Sequence, residues 1–352
     1  MTKTATNNGN GTSLISVKYI VISIGLSMLS MGIVFYLTYT PGVFDHLAPK
    51  RLPGLFIAIG VMLLKVCFTA AKQRVLSDRE LSWPASFRIA LTWDFASAVT
   101  PSTIGGSPAA TYAMTREGIK LGKASAIVLY GVLLDQFWYA LAVPILILAG
   151  FYFEVLPPEI GLVGNLTMVF IYTSLLLFGG FLTYGLMVNP SAFKKFVNRI
   201  FRWPYLNRYA DKVNAEAEHL EDHSYQLRDK PLSFYLKAFF YSTMSWLCKV
   251  ALPVIVILSL LPANEILLVL RSLAMNLAFL VIPTPGGSGG VEGLFVLFLG
   301  PLIERTSFIG LAVFAWRIIT YYISIGVGIF ATMWYVNHKV SEIKEKNSSA
   351  AA

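Results

Sequence analysis

Long apolar runs separated by short polar segments dominate the chain from residue 17 onward. Six of these runs approach or exceed the roughly 20 residues that a helix needs to cross the hydrocarbon core of a bilayer. They cover residues 17–39, 52–71, 124–153, 162–188, 234–261 and 308–336. The pattern predicts an all-α integral membrane protein for which lipid is the main solvent.

Two further apolar segments, 84–114 and 264–302, are interrupted by glycine and proline at residues 100–108 and 283–290. Clusters of these residues break helices. Irregular backbone is tolerated at membrane depth only where protein or a wet cavity satisfies its polar groups. We therefore predict two re-entrant segments. If the glycines and prolines only kink ordinary spans, the chain instead makes eight crossings.

The positions of Lys and Arg predict the orientation in the membrane. The loop 154–159 has no basic residue and is expected outside, whereas the basic loop 189–232 and both termini are expected in the cytoplasm. The broken segments then enter from opposite faces, and each half of the chain has an odd number of spans. We therefore predict two inverted repeats, about 17–153 and 162–336, as in secondary transporters. Their broken segments would face each other within six to eight transmembrane helices.

The remaining segments complete the predicted domain plan. Residues 1–16 are polar and predict a disordered N-terminal tail, residues 17–337 a single membrane domain, and residues 338–352 a cytoplasmic tail. Residues 205–228 carry an apolar stripe at helical spacing beside a charged face. They predict an amphipathic helix that lies on the cytoplasmic membrane surface or docks on the bundle.

Composition and motif searches exclude several classes of protein. The chain is 56% hydrophobic and 13% charged, against about 25% charged residues in soluble domains. The net charge of +9 resides in loops beside apolar runs, which membrane topology explains without nucleic acid. Both cysteines lie in apolar runs, and no nucleophile elbow, Walker A loop or zinc-protease motif occurs. We therefore expect a multi-pass protein of the cell membrane with no catalytic residue, metal or cofactor.

Charged residues inside the apolar segments are the strongest functional candidates, because charge within a bilayer is costly. The candidates are Lys65, Arg88, Asp94, Asp135, Lys249, Arg271, Glu292 and Arg317. They concentrate around the broken segments and predict a polar cavity near the midplane. Glu292 follows the second glycine-rich turn, where it could cap a helix, carry a proton, or pair with Arg271 or Arg317. The turns themselves are expected to offer free N–H groups to a phosphate.

The two interrupted segments resemble the signatures of a known membrane family. Residues 101–119 (PSTIGGSPAATYAMTREGI), followed by Leu134-Asp-Gln136, are similar to its first signature. Residues 282–293 (IPTPGGSGGVEG), followed by Trp316-Arg317 and Tyr321-Tyr322, are similar to the second. The family is the flippase-like, or lysylphosphatidylglycerol synthase transmembrane, family, which includes the N-terminal domain of the multiple peptide resistance factor. The resemblance extends over about residues 18–337.

The first signature departs from the pattern of many members, which carry Gly-Glu and a nearby Arg. Here Gly105 and Gly106 are followed by Ala109, Ala110 and Thr111, as in a Gly-Gly-x-Pro branch. An anion-pairing scheme built on that Glu and Arg therefore does not transfer to this chain. Asp135, Arg271, Glu292 and Arg317 do match family positions.

The resemblance implies a lipid flippase or transporter that moves a phospholipid or glycolipid headgroup between leaflets, without synthase activity. A non-transporting subunit that scaffolds a lipid-modifying enzyme, and a membrane lipid or polyprenyl-linked sugar transferase, remain alternatives. The expected partners are the lipid substrate and no nucleic acid, with a lipid-modifying enzyme or a second copy of the chain left open. The predicted substrate-binding residues are Arg88, Asp94, Thr103, Gly105, Gly106, Asp135, Arg271, Asn276, Pro285, Gly286, Gly287, Gly289, Glu292 and Arg317.

Overall fold

The protein is helical throughout the part of the chain that a computed structural model describes, residues 17–47, 49, 51–100, 105–203 and 210–335. The predicted tails therefore lie outside the described residues. Twelve helices occur in this part: α1 Val17–Thr38, α2 Pro53–Leu76, α3 Trp83–Val99, α4 Gly106–Arg116, α5 Leu121–Ala149, α6 Gly161–Thr183, α7 Pro190–Phe201, α8 Ala210–Arg228, α9 Leu232–Leu260, α10 Glu265–Ala278, α11 Gly290–Leu299 and α12, which begins with Ser307–Arg317.

Six of the described helices are long and apolar enough to cross a membrane, which confirms the six spans predicted from the sequence. They are α1, α2, α5, α6, α9 and α12. Two of these spans contain a π-helical turn. In one it follows α6 at Tyr184–Val188, and in the other it lies within α12 at Ile318–Tyr322. Beyond its π-helical turn α12 continues, so that the whole span is Ser307–Tyr335.

Each interrupted segment forms two shorter helices, α3 and α4 in the first half and α10 and α11 in the second. Side-chain caps begin one helix in each segment: Ser82 Oγ accepts the Ala85 N–H at 3.3 Å, and Asn264 Oδ1 accepts the Leu267 N–H at 3.1 Å. Such caps satisfy N–H groups that the first helical turn leaves free. Whether these segments re-enter from one face, and whether the halves are inverted repeats, stays a prediction.

The predicted amphipathic helix corresponds in its described part to α8, and residues 205–209 lie outside the described residues. Its apolar residues Ala217 and Leu227 are buried. At Gly122 of α5 an added Cβ would lie 2.4 Å from His219 Cβ, so the glycine permits close contact between α5 and α8. The hydroxyl of Tyr130 on α5 donates to Ser224 O of α8 at 3.2 Å. Helix α8 therefore docks on the helix bundle, and its position relative to the cytoplasmic membrane surface stays a prediction.

An ion-pair cluster also joins α7 to α8. The hydroxyl of Ser191 donates to Glu221 Oε1, and Lys194 Nζ lies 3.1 Å from Glu221 Oε2. The hydrogen bond from Ser191, followed by the interaction with Lys194, lowers the pKa of the Glu221 carboxyl below its ordinary value. These contacts fix α7 and α8 relative to each other.

Helices α2 and α9 pack along most of their lengths and form the centre of the bundle. One buried apolar cluster joins them to α10, α11 and α12 through residues such as Met62, Ile257 and Phe298. A second cluster surrounds α5 and includes Ile89 and Met114 of α3 and α4. Large apolar side chains on α1 and α6 point outward, as expected for lipid-facing helices. The arrangement leaves a polar cavity between the two clusters.

The contact between α3 and α12 depends on a glycine. A Cβ at Gly328 would lie 2.5 Å from Phe95 Cβ and 2.9 Å from Leu91 O, whereas Gly326 has no neighbouring atom within 4 Å. We expect Gly328→Ala to lower the free energy of unfolding by about 1–3 kcal/mol through overpacking. The control Gly326→Ala should be neutral or stabilising by up to about 1 kcal/mol, because alanine favours helix. Thermal unfolding of the detergent-solubilised protein compares them, and equal melting temperatures would contradict this packing.

Candidate functional site

A cavity of about 440 Å³ occupies the centre of the bundle. Its walls come from α2, α3, α4, α5, α9, α10, α11 and α12, together with the turn that precedes α11. Its volume lies within the range of small-molecule sites, which is about 300–1,000 Å³. Among the described residues, six charged side chains line it: Lys65, Lys72, Asp94, Asp135, Lys249 and Arg317. A cavity with charged lining groups, four basic and two acidic among the described residues, is therefore present, and its depth in the membrane stays a prediction.

Two lysines of α2 pair with the two lining carboxylates. Lys65 Nζ lies 2.6 Å from both carboxylate oxygens of Asp94 on α3. Two helical turns further along α2, Lys72 Nζ lies 2.8 Å from Asp135 Oδ1 on α5. The Asp135 carboxylate also accepts hydrogen bonds from Ser242 Oγ and, at 3.0 Å, from Trp246 Nε1, both on α9. These pairs compensate the charges and join α2 to its three neighbours.

A third ion pair lies behind the cavity wall and connects α11 to α12. Glu292 is fully buried and accepts from Arg317 Nε at 2.9 Å, from Ser27 Oγ of α1 at 2.9 Å, and from the Gly289 N–H at 2.8 Å. Of the partners considered from the sequence, Glu292 thus has Arg317 and not Arg271, and it also caps α11. Because Arg317 itself lines the cavity, Glu292 fixes the position of a cavity-lining guanidinium.

The glycine-rich turn before α11 uses its backbone donors within the protein. The N–H groups of Gly286, Gly287, Ser288 and Gly289 donate to Thr100 O, Thr284 O, Pro285 O and Glu292 Oε2 at distances of 2.8–3.3 Å. The expectation that these N–H groups are free to bind a phosphate is therefore wrong for these residues. In the first segment the Gly105 N–H likewise donates to Thr100 Oγ1 at 3.0 Å. These five N–H groups are therefore not free donors for an anion.

Glycine is required where the second turn meets the end of α3. Gly286 has a φ of +59°, and an added Cβ would lie 2.2 Å from Ala98 O and 2.7 Å from Tyr321 Cε2. A side chain would therefore be both strained and sterically blocked. The turn thus contacts α3 and α12 directly, and the two interrupted segments meet at the cavity.

The predicted site residues divide into groups by position. Asp94, Asp135, Asn276, Gly286, Gly287 and Arg317 line the cavity. Gly105, Gly106, Pro285, Gly289 and Glu292 belong to the turns and helix starts around it. Thr103 lies outside the described residues. Which of these residues bind a substrate stays a prediction.

Arg88 and Arg271 are not among the residues that line the cavity. Arg88 donates to Glu117 Oε1 at 2.7 Å and lies 3.9 Å from the ring centroid of Trp334, near the end of α12. Arg271 is buried and donates to two backbone carbonyls, Glu154 O at 3.1 Å and Phe298 O at 3.3 Å. Both side chains thus connect helices away from the cavity.

Lys249 is the lining cation whose charge is not compensated by an ion pair with any described carboxylate. Its Nζ lies 4.4 Å from the ring centroid of Trp246, over the aromatic face. Its charge also interacts with the nearby Lys65, Asp94 and Asp135, but both carboxylates already pair with other lysines. A cation–π contact stabilises a buried ammonium only in part. The cavity therefore offers a positive charge to an anionic group.

The list of predicted substrate-binding residues omitted several cavity residues that a periodicity analysis could have found, although Lys65 and Lys249 were among the charged candidates. Lys65, Thr69, Lys72 and Gln73 follow one face of the apolar helix α2, at positions i, i+4, i+7 and i+8. Ser245, Trp246 and Lys249 do the same on α9. Lys72 lies just beyond the predicted span 52–71, but α2 extends to Leu76 and buries it. Polar stripes on apolar helices were the missed signal.

Comparison with known proteins gives two matches. Residues 20–328 match the family model described as the lysylphosphatidylglycerol synthase TM region, and this range includes every residue that lines the cavity. Over 321 residues the chain is 23% identical to a UPF0104 membrane protein of Archaeoglobus fulgidus. That alignment covers 88% of this chain and 94% of the archaeal protein.

The pair Glu292–Arg317 allows a direct test of the buried network. We expect Glu292→Gln to lower the free energy of unfolding by about 3–5 kcal/mol, because it leaves the Arg317 charge uncompensated. The double variant Glu292→Gln/Arg317→Met removes that charge and should recover part of the loss. Thermal unfolding of the purified protein, followed by tryptophan fluorescence, measures both. A double variant less stable than the single one would contradict the ion-pair explanation.

Proposed function

Because the chain belongs to the lysylphosphatidylglycerol synthase transmembrane family, a family of lipid-related membrane proteins, we propose that it moves a lipid between the two leaflets. The headgroup passes through the central cavity while the acyl chains remain in the bilayer. The observation that carries this proposal is the excess of cationic groups in the cavity, above all Lys249.

The charge balance favours an anionic headgroup. Lys65, Lys72 and Arg317 each have a carboxylate partner, so Lys249 leaves the site with one net positive charge. Lys249 is half-buried. An uncompensated charge in a poorly solvated cavity is costly, and an incoming phosphate would offset that cost. In this proposal Lys249 binds the phosphate, and Lys65, on the adjacent helix α2, contributes as its pairing with Asp94 is rearranged.

The position of the cavity supports movement across the membrane. It lies where the two interrupted segments meet, and its lysines and carboxylates are distributed over four helices, α2, α3, α5 and α9. Ion pairs between different helices can exchange partners when those helices shift relative to each other. In the proposed orientation the basic loops place α7 and α8 on the cytoplasmic side of the cell membrane.

In the proposed mechanism the other predicted residues take different roles. Asp94, Asp135 and Arg317 line the path and exchange ion-pair partners as the headgroup passes. Glu292 is a positioning residue, because it acts through Arg317. Asn276 contributes an amide to the cavity wall, and the turn at Gly286 couples α3 to α12 through direct contact with both.

Substitution of Lys249 tests the proposal. Full-length protein is reconstituted in vesicles with lipids that carry a fluorophore on an acyl chain, so that the headgroup is intact, and dithionite quenching reports leaflet exchange. We expect Lys249→Gln to slow exchange of a phosphate-bearing lipid by about tenfold or more, as for loss of a charged hydrogen bond. The matched control Lys237→Gln, an exposed lysine on the same helix, should leave the rate unchanged.

Two outcomes would contradict the proposal. Equal rates for Lys249→Gln and Lys237→Gln would show that the cavity charge has no part in exchange. A correctly folded protein that exchanges no lipid would favour the alternative of a subunit that docks a lipid-modifying enzyme. Charge reversal on the exposed face of α8 should then impair that enzyme's activity.

A further inference from the structure

The cavity contains hydrogen-bonding atoms that the charge balance does not explain. Four lining residues, each at most 4% exposed, have side-chain polar atoms without a hydrogen-bond partner in the described part of the protein. The atoms are Nε2 and Oε1 of Gln73, Oη of Tyr139, Oδ1 of Asn276 and Nη2 of Arg317. Buried polar atoms are nearly always hydrogen-bonded. Four such residues at one cavity indicate a surface that is complementary to a polar ligand.

The mixture of donors and acceptors restricts the chemistry of that ligand. Gln73 Nε2 and Arg317 Nη2 can only donate, Gln73 Oε1 and Asn276 Oδ1 can only accept, and Tyr139 Oη can do both. A phosphate supplies acceptors alone, an ammonium group supplies donors alone, and a quaternary ammonium supplies neither. A hydroxyl both donates and accepts. Several hydroxyl groups on one ligand would match this set of atoms.

The ion pairs argue against a cationic headgroup. The carboxylates of Asp94 and Asp135 are the acidic groups among the described lining residues, and Lys65 and Lys72 already compensate them. An ammonium group in the cavity would therefore meet the uncompensated charge of Lys249 without a free carboxylate. Like charges at close distance in a poorly solvated site repel strongly.

We infer that the headgroup is a phosphate esterified to a hydroxyl-rich alcohol, such as glycerol, inositol or a sugar, and not to an amino alcohol or aminoacyl group. This inference rests on the proposed function. Lys249 binds the phosphate, while Gln73, Tyr139 and Asn276 bind hydroxyl groups. Arg317, held by Glu292, presents its free Nη2 to the same ligand.

Headgroup selectivity in vesicles tests the inference. Acyl-labelled phosphatidylglycerol, phosphatidylinositol, phosphatidylethanolamine and phosphatidylcholine are compared in vesicles that contain the full-length protein. We expect the first two to exchange at least about tenfold faster than the last two, since a site built to bind hydroxyl groups rejects analogues that lack them. A polyprenyl-phosphate sugar with a labelled prenyl chain forms a separate arm. Faster exchange of that lipid identifies a glycosyl carrier, and faster exchange of the first two a glycerophospholipid.

Two substitutions identify the residues responsible. Tyr139→Phe removes one hydroxyl, and Asn276→Leu removes the unpaired Oδ1 together with the Nδ2 that donates to Ser272 O at 2.8 Å. Tyr139→Phe and Asn276→Leu should each slow exchange of phosphatidylglycerol about three- to tenfold, as expected for one lost hydrogen bond, while the slow exchange of phosphatidylethanolamine remains the same. The control is Tyr36→Phe, which removes the hydroxyl of an exposed tyrosine on α1. If Tyr139→Phe slows all four lipids equally, its hydroxyl has a structural role and the inference is wrong.

A binding measurement separates this inference from the proposed transport. Short-chain forms of the four lipids are added to the purified protein in detergent, and the melting temperature is measured. Selective stabilisation by phosphatidylglycerol or phosphatidylinositol, reduced in Tyr139→Phe, supports the headgroup assignment even if vesicles show no exchange. If all four lipids exchange and raise the melting temperature equally, the headgroup assignment is wrong and the proposed transport stands. The four residues then bind water only. No exchange and no selective shift overturn both.

Discussion

The cost of burying charge in a bilayer is the constraint on which the structure depends. A carboxylate or an ammonium in the interior requires a partner, because the surrounding medium solvates it poorly. Three ion pairs, Lys65–Asp94, Lys72–Asp135 and Arg317–Glu292, meet this requirement, and each connects different helices. The pairs therefore both compensate charge and determine which helices surround the cavity.

The interrupted segments place irregular backbone where the surrounding protein can satisfy it. The turn at Gly286 donates to Thr100 O at the end of α3, and Ser288 Oγ donates to Ser23 O of α1 at 3.1 Å. Tyr321 of α12 packs against the same turn. The tyrosine lies in the π-helical turn Ile318–Tyr322, and such turns often occur at functional sites. Helix α12 thus contacts both interrupted segments, so that a shift of one of them would affect the other.

The cavity combines two kinds of recognition that differ in range and in specificity. The uncompensated charge of Lys249 attracts anions without regard to their detailed shape. Neutral amide and hydroxyl groups distinguish ligands by the positions of their donors and acceptors, since a mismatch leaves a buried polar atom unpaired. In the proposed function, the first property gives affinity for the phosphate shared by many lipids. The second gives selectivity among headgroups.

The sequence by itself determined the six spans, the two interruptions and the intramembrane charges. Each of these features can be recognised from the composition of a short stretch of sequence, because the thickness of the bilayer sets the length of a spanning helix. The family resemblance could likewise be recognised from local motifs, and the match over residues 20–328 confirms it.

Only the tertiary structure decided which of those charges meet. Glu292 could have paired with Arg271 or Arg317, and helix packing brings it to Arg317 while Arg271 donates to backbone carbonyls. The roles of Lys72, Gln73 and Tyr139 depend on which faces of α2 and α5 point toward the cavity. In an almost uniformly apolar helix, only a few polar positions in the sequence indicate that face. Free donors in the glycine-rich turn looked plausible locally. In the folded protein, Thr100, which is distant in sequence, accepts from the Gly286 N–H, and Glu292 accepts from the Gly289 N–H. These donors are not free, because buried N–H groups bond to the nearest acceptor that the fold supplies.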